Sequence, residues 1–267
     1  MLRRADVAAR LASIAHDNGL VAANRARAAL SASFSWAIGE GLTDVNPVIG
    51  TNKACDEISR DRVLSDEELR LIWRHVGEGE YGAIVRLLML TGQRREEVGG
   101  MRWSELSLAK GVWAIDASRT KNQRPHVVHL STPAVEILQA QGQRGGRGLV
   151  FGAGAGPFQG WANAKKALDT RMQKALGETC GKRLMQPWRL HDLRRTAATR
   201  MADLGVQPHL IEATLNHISG HKSGVAGIYN RASYEPEKRA ALDLWANCVI
   251  SLVEDRPSNV ALLHRAG

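Results

Sequence analysis

With 267 residues the chain can fill one large domain or two modest ones, and its 44% hydrophobic and 24% charged content are ordinary for a soluble globular protein. No stretch approaches the roughly 20 apolar residues of a membrane span, and the Arg-rich first thirty residues hold no apolar signal-peptide block, so a cytoplasmic location is expected. The net charge of +9 fits a polyanion partner or a generically basic surface; residues 182–239 hold ten Lys and Arg against five Asp and Glu, which favours a phosphate-bearing substrate.

Taken in chain order, residues 5–40 predict two helices. Val7, Leu11 and Ile14 recur at helical spacing, Asn18-Gly19 stops the first helix, and an Ala-rich helix from Ala22 to Ile38 ends at Gly39-Glu40-Gly41. Asn46-Pro47 is a turn, and the polar, aperiodic stretch that follows, 48–63, reads as a linker. A new domain opens at Ser65, where Ser65 with Glu68 has capping-box spacing and Leu64 with Leu69 fits a hydrophobic staple. An apolar helix over 82–90 follows and breaks at Thr91-Gly92.

Val112-Trp113-Ala114-Ile115 and His126 to Leu130 read as strands flanking a polar turn, 118–124. Pro133 starts a helix, and 142–160, with eight glycines, is a loop. Helices resume over 161–176, 191–204, 208–216 and 235–253. Cys55, Cys180 and Cys248 are odd in number and widely spaced, so neither a disulfide frame nor a zinc cluster is indicated.

Several residues suggest chemistry on a phosphodiester. His191 and Arg194 are three apart near a predicted helix N-terminus, a positive end suited to phosphate; an ordinary amphipathic helix with solvated charges has the same pattern. Arg94 follows the Thr91-Gly92 break, and Glu97 stands where it can hold the guanidinium fork; a surface ion pair is the plainer reading. Lys121 lies at the tip of the predicted hairpin, either solvated or inserted in a DNA groove. Tyr81 and Tyr234 read as packing residues. Tyr229, in a glycine-bearing segment, has little local packing to do and is a nucleophile if its proton is removed.

Together Thr91-Gly92-Gln93-Arg94-Arg95-Glu96-Glu97-Val98, Thr120-Lys121-Asn122, His191-Asp192-Leu193-Arg194-Arg195-Thr196, Leu215-Asn216-His217 and Ile228-Tyr229-Asn230-Arg231 closely resemble the tyrosine recombinases, the phage-type integrases. The Leu-Asn-His box and the long gap to Tyr229 resemble the branch with satellite-phage and genomic-island enzymes. The resemblance implies a mainly α fold with a small antiparallel β-sheet. It assigns a catalytic domain to 64–253, a partial helical core-binding domain to 1–47, a linker to 48–63 and a tail to 254–267.

It also implies roles. Arg94 and Arg194 grip the scissile phosphate, Lys121 protonates the leaving 5′ oxygen, and His191 is the acid/base for the tyrosine. His217 bonds a non-bridging oxygen, Glu97 supports Arg94, and Tyr229 attacks to leave a 3′-phosphotyrosine, with no metal, cofactor or ATP. The implied partners are double-stranded DNA at attachment sites and three further copies of the chain in a tetramer. The same resemblance adds accessory DNA-bending proteins or an excisionase to that set, in integration or excision of a prophage or genomic island. The apolar face of the last helix is open to two readings, a neighbouring protomer or its own domain.

This branch usually carries an arm-binding module and a complete core-binding domain, and neither fits before residue 47. Weakened DNA clamping is therefore expected. Two alternatives stand beside this reading, a type IB-like topoisomerase and a non-catalytic DNA-binding remnant.

Overall fold

The computed structural model describes residues 2–57, 60–143, 145–180, 185–217 and 233–256. The chain divides into two compact units, Met1–Arg60 and Asp61–Gly267.

The first unit pairs α1 (Arg4–Asn18) with α2 (Leu20–Gly39), parted by Gly19 at φ +93. Its core is small: Val7, Leu11 and Val48, with Ala26, Leu30 and Phe34 partly buried against them. Residues 48–55, the first part of the expected linker, pack against this unit. Arg27 donates to the Thr51 carbonyl through Nη2 at 2.9 Å and to Thr51 Oγ1 through Nε at 2.9 Å. Asn24 donates to the Cys55 carbonyl and accepts from the Ala54 amide, each at 2.8 Å. One apolar side chain and a few backbone groups anchor this stretch, which is why it lacks periodicity.

The second unit is mainly helical with a three-stranded antiparallel sheet. Helix α3 (Asp66–His75) starts at the Ser65 cap, whose Oγ accepts from the Glu68 amide while Glu68 accepts from the Ser65 amide. Helix α4 (Glu80–Thr91) is buried on nearly every face, because its sequence from Tyr81 to Leu90 is apolar all round apart from Arg86. Burying side chains such as Ile84, Leu87 and Leu88 contributes about 1.5–3 kcal/mol each. Around it pack α6 (Thr132–Gln141), α8 (Leu190–Asp203) and α10 (Glu235–Val253).

Among the described residues the other α-helices of this unit are α5 (Arg95–Gly99), α7 (Trp161–Cys180) and α9 (Pro208–Thr214). Strands β1 (Leu106–Ser107), β2 (Val112–Ile115) and β3 (His126–His129) pair in the order β1-β2-β3, with Val112 opposite His129 and Ile115 opposite His126. Trp113, Ile115 and Val128 point into the core, as period-two alternation requires. Helix α5 and strand β1 are too short to show a period and were not expected.

Helix α10 resolves the open reading of its apolar face. Ala241, Leu242, Trp245, Ala246, Val249 and Val253 are buried in the core of their own unit, and Trp245 Nε1 donates to the Met89 carbonyl at 2.7 Å. Among the described residues no helix is long and apolar enough to cross a membrane.

Candidate active site

The site begins where α4 stops. Gly92 takes the left-handed conformation, φ +64, and its amide closes the helix on the Leu88 carbonyl at 3.0 Å. A Cβ at Gly92 would stand 2.9 Å from Leu215 Cδ2 and 3.2 Å from Ala197 Cβ, so the turn needs glycine both for its φ and for its neighbours. Buried Gln93 donates through Nε2 to the carbonyls of Thr91 and Thr214, both at 3.0 Å, joining the end of α4 to the end of α9.

This turn delivers Arg94 to the start of α5. One turn on, the buried Glu97 carboxylate accepts from Arg94 Nη1 at 3.0 Å and from the Arg94 amide at 3.3 Å. Arg94 Nη2 donates to the Asn216 carbonyl at 3.1 Å. The guanidinium is fixed on two sides while its side chain keeps 18% exposure toward the groove.

Helix α8 supplies the second arginine. Arg194 is 7% exposed; it donates through Nη1 to the Gly92 carbonyl at 3.0 Å and through Nη2 to the Leu215 carbonyl. A guanidinium has five N–H donors, so others remain. Burial, then nearby Arg94, lowers its pKa to about 10, with Glu97 opposing. His191 lies on the same helix. Burial of part of its ring, then Arg195 and Arg194, holds its pKa below the usual histidine value, with Asp192 opposing. The ring is thereby kept neutral near pH 7 and able to accept a proton. Asp192 is fully buried and accepts from the Arg189 amide at 2.8 Å and Arg195 Nη1 at 3.0 Å, which fixes the N-terminal turn of α8.

Lys121 comes from the turn between β2 and β3. Thr120 Oγ1 closes that turn by donating to the Arg124 carbonyl at 2.7 Å and accepting from its amide at 3.0 Å. Arg119 ties the same turn to the rest of the site, donating through Nη2 to the Glu97 carbonyl at 3.1 Å and to Glu105 at 3.0 Å.

One groove of about 620 Å³ is lined by Arg94, Lys121, His191, Arg194 and His217 together. It continues into a second, of about 850 Å³, that shares Arg94, Lys121 and His191 and adds Arg95, Arg119, Lys165 and Arg189 along a wall with Trp161 and Trp188. Glu97 stands behind Arg94. Tyr229 lies outside the described residues. Tyr234 stacks edge-on to His209, ring centres 5.4 Å apart, and Tyr81 packs against Phe158 and Trp161.

Two groups at the site were not singled out from sequence. Asn122 and Asn216 bond each other across the groove wall. Asn216 has φ +47, a conformation Asn tolerates better than most residues; both asparagines stand in the motif boxes Thr120-Lys121-Asn122 and Leu215-Asn216-His217, but no local pattern pairs them. His126, buried at the start of β3, has its pKa lowered to about 3 by burial, then by Lys238 and Arg194. Among the described residues no group of three or more His, Cys, Asp or Glu is arranged to hold a metal ion. The groove brings guanidinium, ammonium and imidazole groups together, with one carboxylate, Glu212, on its lining.

Comparison with known proteins gives the lineage. The family model described as "Phage integrase family" matches residues 62–235. "Prophage integrase IntA" of Escherichia coli (strain K12) is 28% identical over 221 residues, covering 80% of this chain and 51% of that protein. "Prophage integrase IntZ" of the same strain is 32% identical over 178 residues, covering 66% and 41%. The chain thus spans about half the length of the curated relatives it matches. Among solved structures, a lambda integrase (75–356) dimer bound to a COC′ core site matches with a TM-score of 0.58 at 22% identity, covering 82% of this chain and 80% of that one. At that identity the likeness is one of fold. The chain belongs to the phage integrase family.

Proposed function

We propose that this chain is the catalytic part of a tyrosine-type site-specific DNA recombinase, which cuts and rejoins DNA through a 3′-phosphotyrosine intermediate. The observation that carries the reading is the single groove lined by Arg94, Lys121, His191, Arg194 and His217. Two guanidinium groups of fixed orientation suit the two non-bridging oxygens of a phosphodiester, and they stabilise the extra charge of a pentavalent transition state.

In this reading Tyr229 oxygen bonds to phosphorus and the bond from phosphorus to the 5′ oxygen breaks. The phenol proton passes to His191, and Lys121 supplies a proton to the departing 5′ oxygen. His217 donates to a non-bridging oxygen, and Glu97 holds Arg94 in place. The phosphotyrosine ester conserves the energy of the broken bond, so a 5′ hydroxyl of another strand reverses the step without ATP. Residues 64–253 are the proposed catalytic domain, 1–47 a partial core-binding domain and 254–267 a tail. The substrate is double-stranded DNA at attachment sites of a prophage or genomic island. A lambda integrase tetramer bound to a Holliday junction shares this fold, with a TM-score of 0.58, which supports a four-protomer assembly. The work would be done at the bacterial nucleoid.

The test is strand transfer. Incubated with two distinguishable duplexes, a recombinase joins a strand of one to a strand of the other. Relaxation of supercoils without such joining would mark a topoisomerase instead, and salt-sensitive binding with no covalent adduct would mark a non-catalytic DNA-binding protein.

A further inference from the structure

Asn122 follows Lys121 on the β2–β3 turn, and Asn216 precedes His217 after α9. Asn122 Nδ2 donates to Asn216 Oδ1 at 2.8 Å, and Asn216 Nδ2 returns a bond to Asn122 Oδ1 at 3.1 Å. Asn122 Nδ2 also reaches the Asn216 carbonyl at 3.1 Å, the same oxygen that Arg94 Nη2 holds at 3.1 Å. Each amide gives and receives, so neither can flip without setting nitrogen against nitrogen and oxygen against oxygen. The pair is neutral. It joins two groove walls without adding negative charge where a phosphate would sit.

We infer that Asn122 and Asn216 are positioning residues, a reciprocal amide clasp that fixes the Lys121 turn against the Arg94–His217 wall and sets the Lys121 ammonium over the leaving oxygen. This rests on the proposed recombinase reading. Thr120 and Arg119 hold the base of the turn, and the clasp holds its tip beside Lys121, where a displacement of about 1 Å can cost roughly 10²-fold in rate. The clasp confines it.

The test uses a pool of nicked duplexes randomised around the nick, from which the wild-type protein selects a substrate by covalent capture. That substrate is made in two forms, with oxygen or with sulfur as the 5′ bridging atom. A thiolate leaves without being protonated, so the sulfur form bypasses the lysine. Asn122→Ala removes the clasp from one side. Asn216→Gly removes the two reciprocal side-chain bonds from the other side, leaving only the bond from Asn122 to the carbonyl of residue 216, and keeps the left-handed backbone free of strain, so it carries the test if Asn122→Ala does not fold. Both variants should cleave the oxygen form roughly 10²-fold more slowly, with KM little changed, and recover to near wild-type rates on the sulfur form, as Lys121→Ala should. The double variant should be no slower than the slower single one. Undiminished cleavage of the oxygen form, or equal losses on both forms, would overturn the inference, as would failure of sulfur to rescue Lys121→Ala. If the wild-type protein captures no duplex at all, the recombinase reading itself has failed and the clasp has no lysine chemistry to serve.

Discussion

Arg194 Nη1 donates to the carbonyl oxygen of Gly92 at 3.0 Å, joining α8 to the end of α4. With the bond from Nη2 to the Leu215 carbonyl, the guanidinium is both a strut between elements and a wall of the groove. Arg194→Lys keeps one positive charge but loses the fork. It should still bind DNA, with cleavage reduced roughly 10²–10³-fold. One buried carbonyl is left unpaired, at a cost of about 1–3 kcal/mol, read as a lower urea midpoint. Unchanged cleavage would refute the bidentate role.

Gly92→Ala tests the turn itself. A side chain there adopts φ +64 and presses on Leu215 and Ala197. The expected loss is about 1–3 kcal/mol of stability, measured by denaturant titration with unchanged m. The loss of activity should exceed what the unfolded fraction explains, since Gly92 also precedes Gln93 and Arg94. An unaltered midpoint would mean the turn rebuilds itself.

Glu97→Ala removes the carboxylate that holds Arg94 from behind. DNA binding should persist with a lower cleavage rate. Glu97→Gln, which keeps an acceptor for Nη1, should fall between Glu97→Ala and wild type. If the two substitutions are equally mild in single-turnover assays, Arg94 does not depend on this support.

The folded state holds His126 neutral down to about pH 3, against an ordinary value of 6.5, because burial and then Lys238 and Arg194 disfavour its charged form. The unfolded chain takes up that proton near 6.5. More protons are bound by the unfolded state between these values, so stability falls as pH falls through this window. His126→Gln should show a flatter dependence of unfolding free energy on pH there. An identical slope would remove His126 from the acid response.

His191 is lowered in the same direction by burial, then Arg195 and Arg194. If it is the base, the acid limb of the cleavage rate lies below the ordinary histidine range. Arg195→Gln should move that limb to higher pH, since it removes a positive neighbour. A limb unmoved by Arg195→Gln would argue for a different base.

The sequence was most readable where periodicity and capping agree. Ser65 and Glu68 announced α3, the apolar run before Thr91 announced α4, and alternation around Trp113 and Val128 announced the sheet. It was least readable where structure rests on tertiary contacts. Val48 packs against Val7 and Leu11, and Thr51 accepts from Arg27, contacts that no local pattern foretells. Helix α5 spans only Arg95–Gly99, too few residues for a period. Motif order nominated Arg94, Lys121, His191, Arg194 and His217, and these line one groove. The Asn122–Asn216 pair joins residues 94 positions apart; each stands in a motif box, but nothing local in the sequence pairs them. Tyr229 was named from sequence and lies outside the described residues.

The central claim is that the Tyr229 phenol becomes bonded to DNA. Covalent complex trapped on a nicked suicide duplex can be digested with protease and nuclease, and the peptide carrying the nucleotide sequenced by mass spectrometry. A single modified peptide bearing the nucleotide on Tyr229, absent in Tyr229→Phe, is the expected result. Modification of Tyr234, or adduct persisting in Tyr229→Phe, would contradict it.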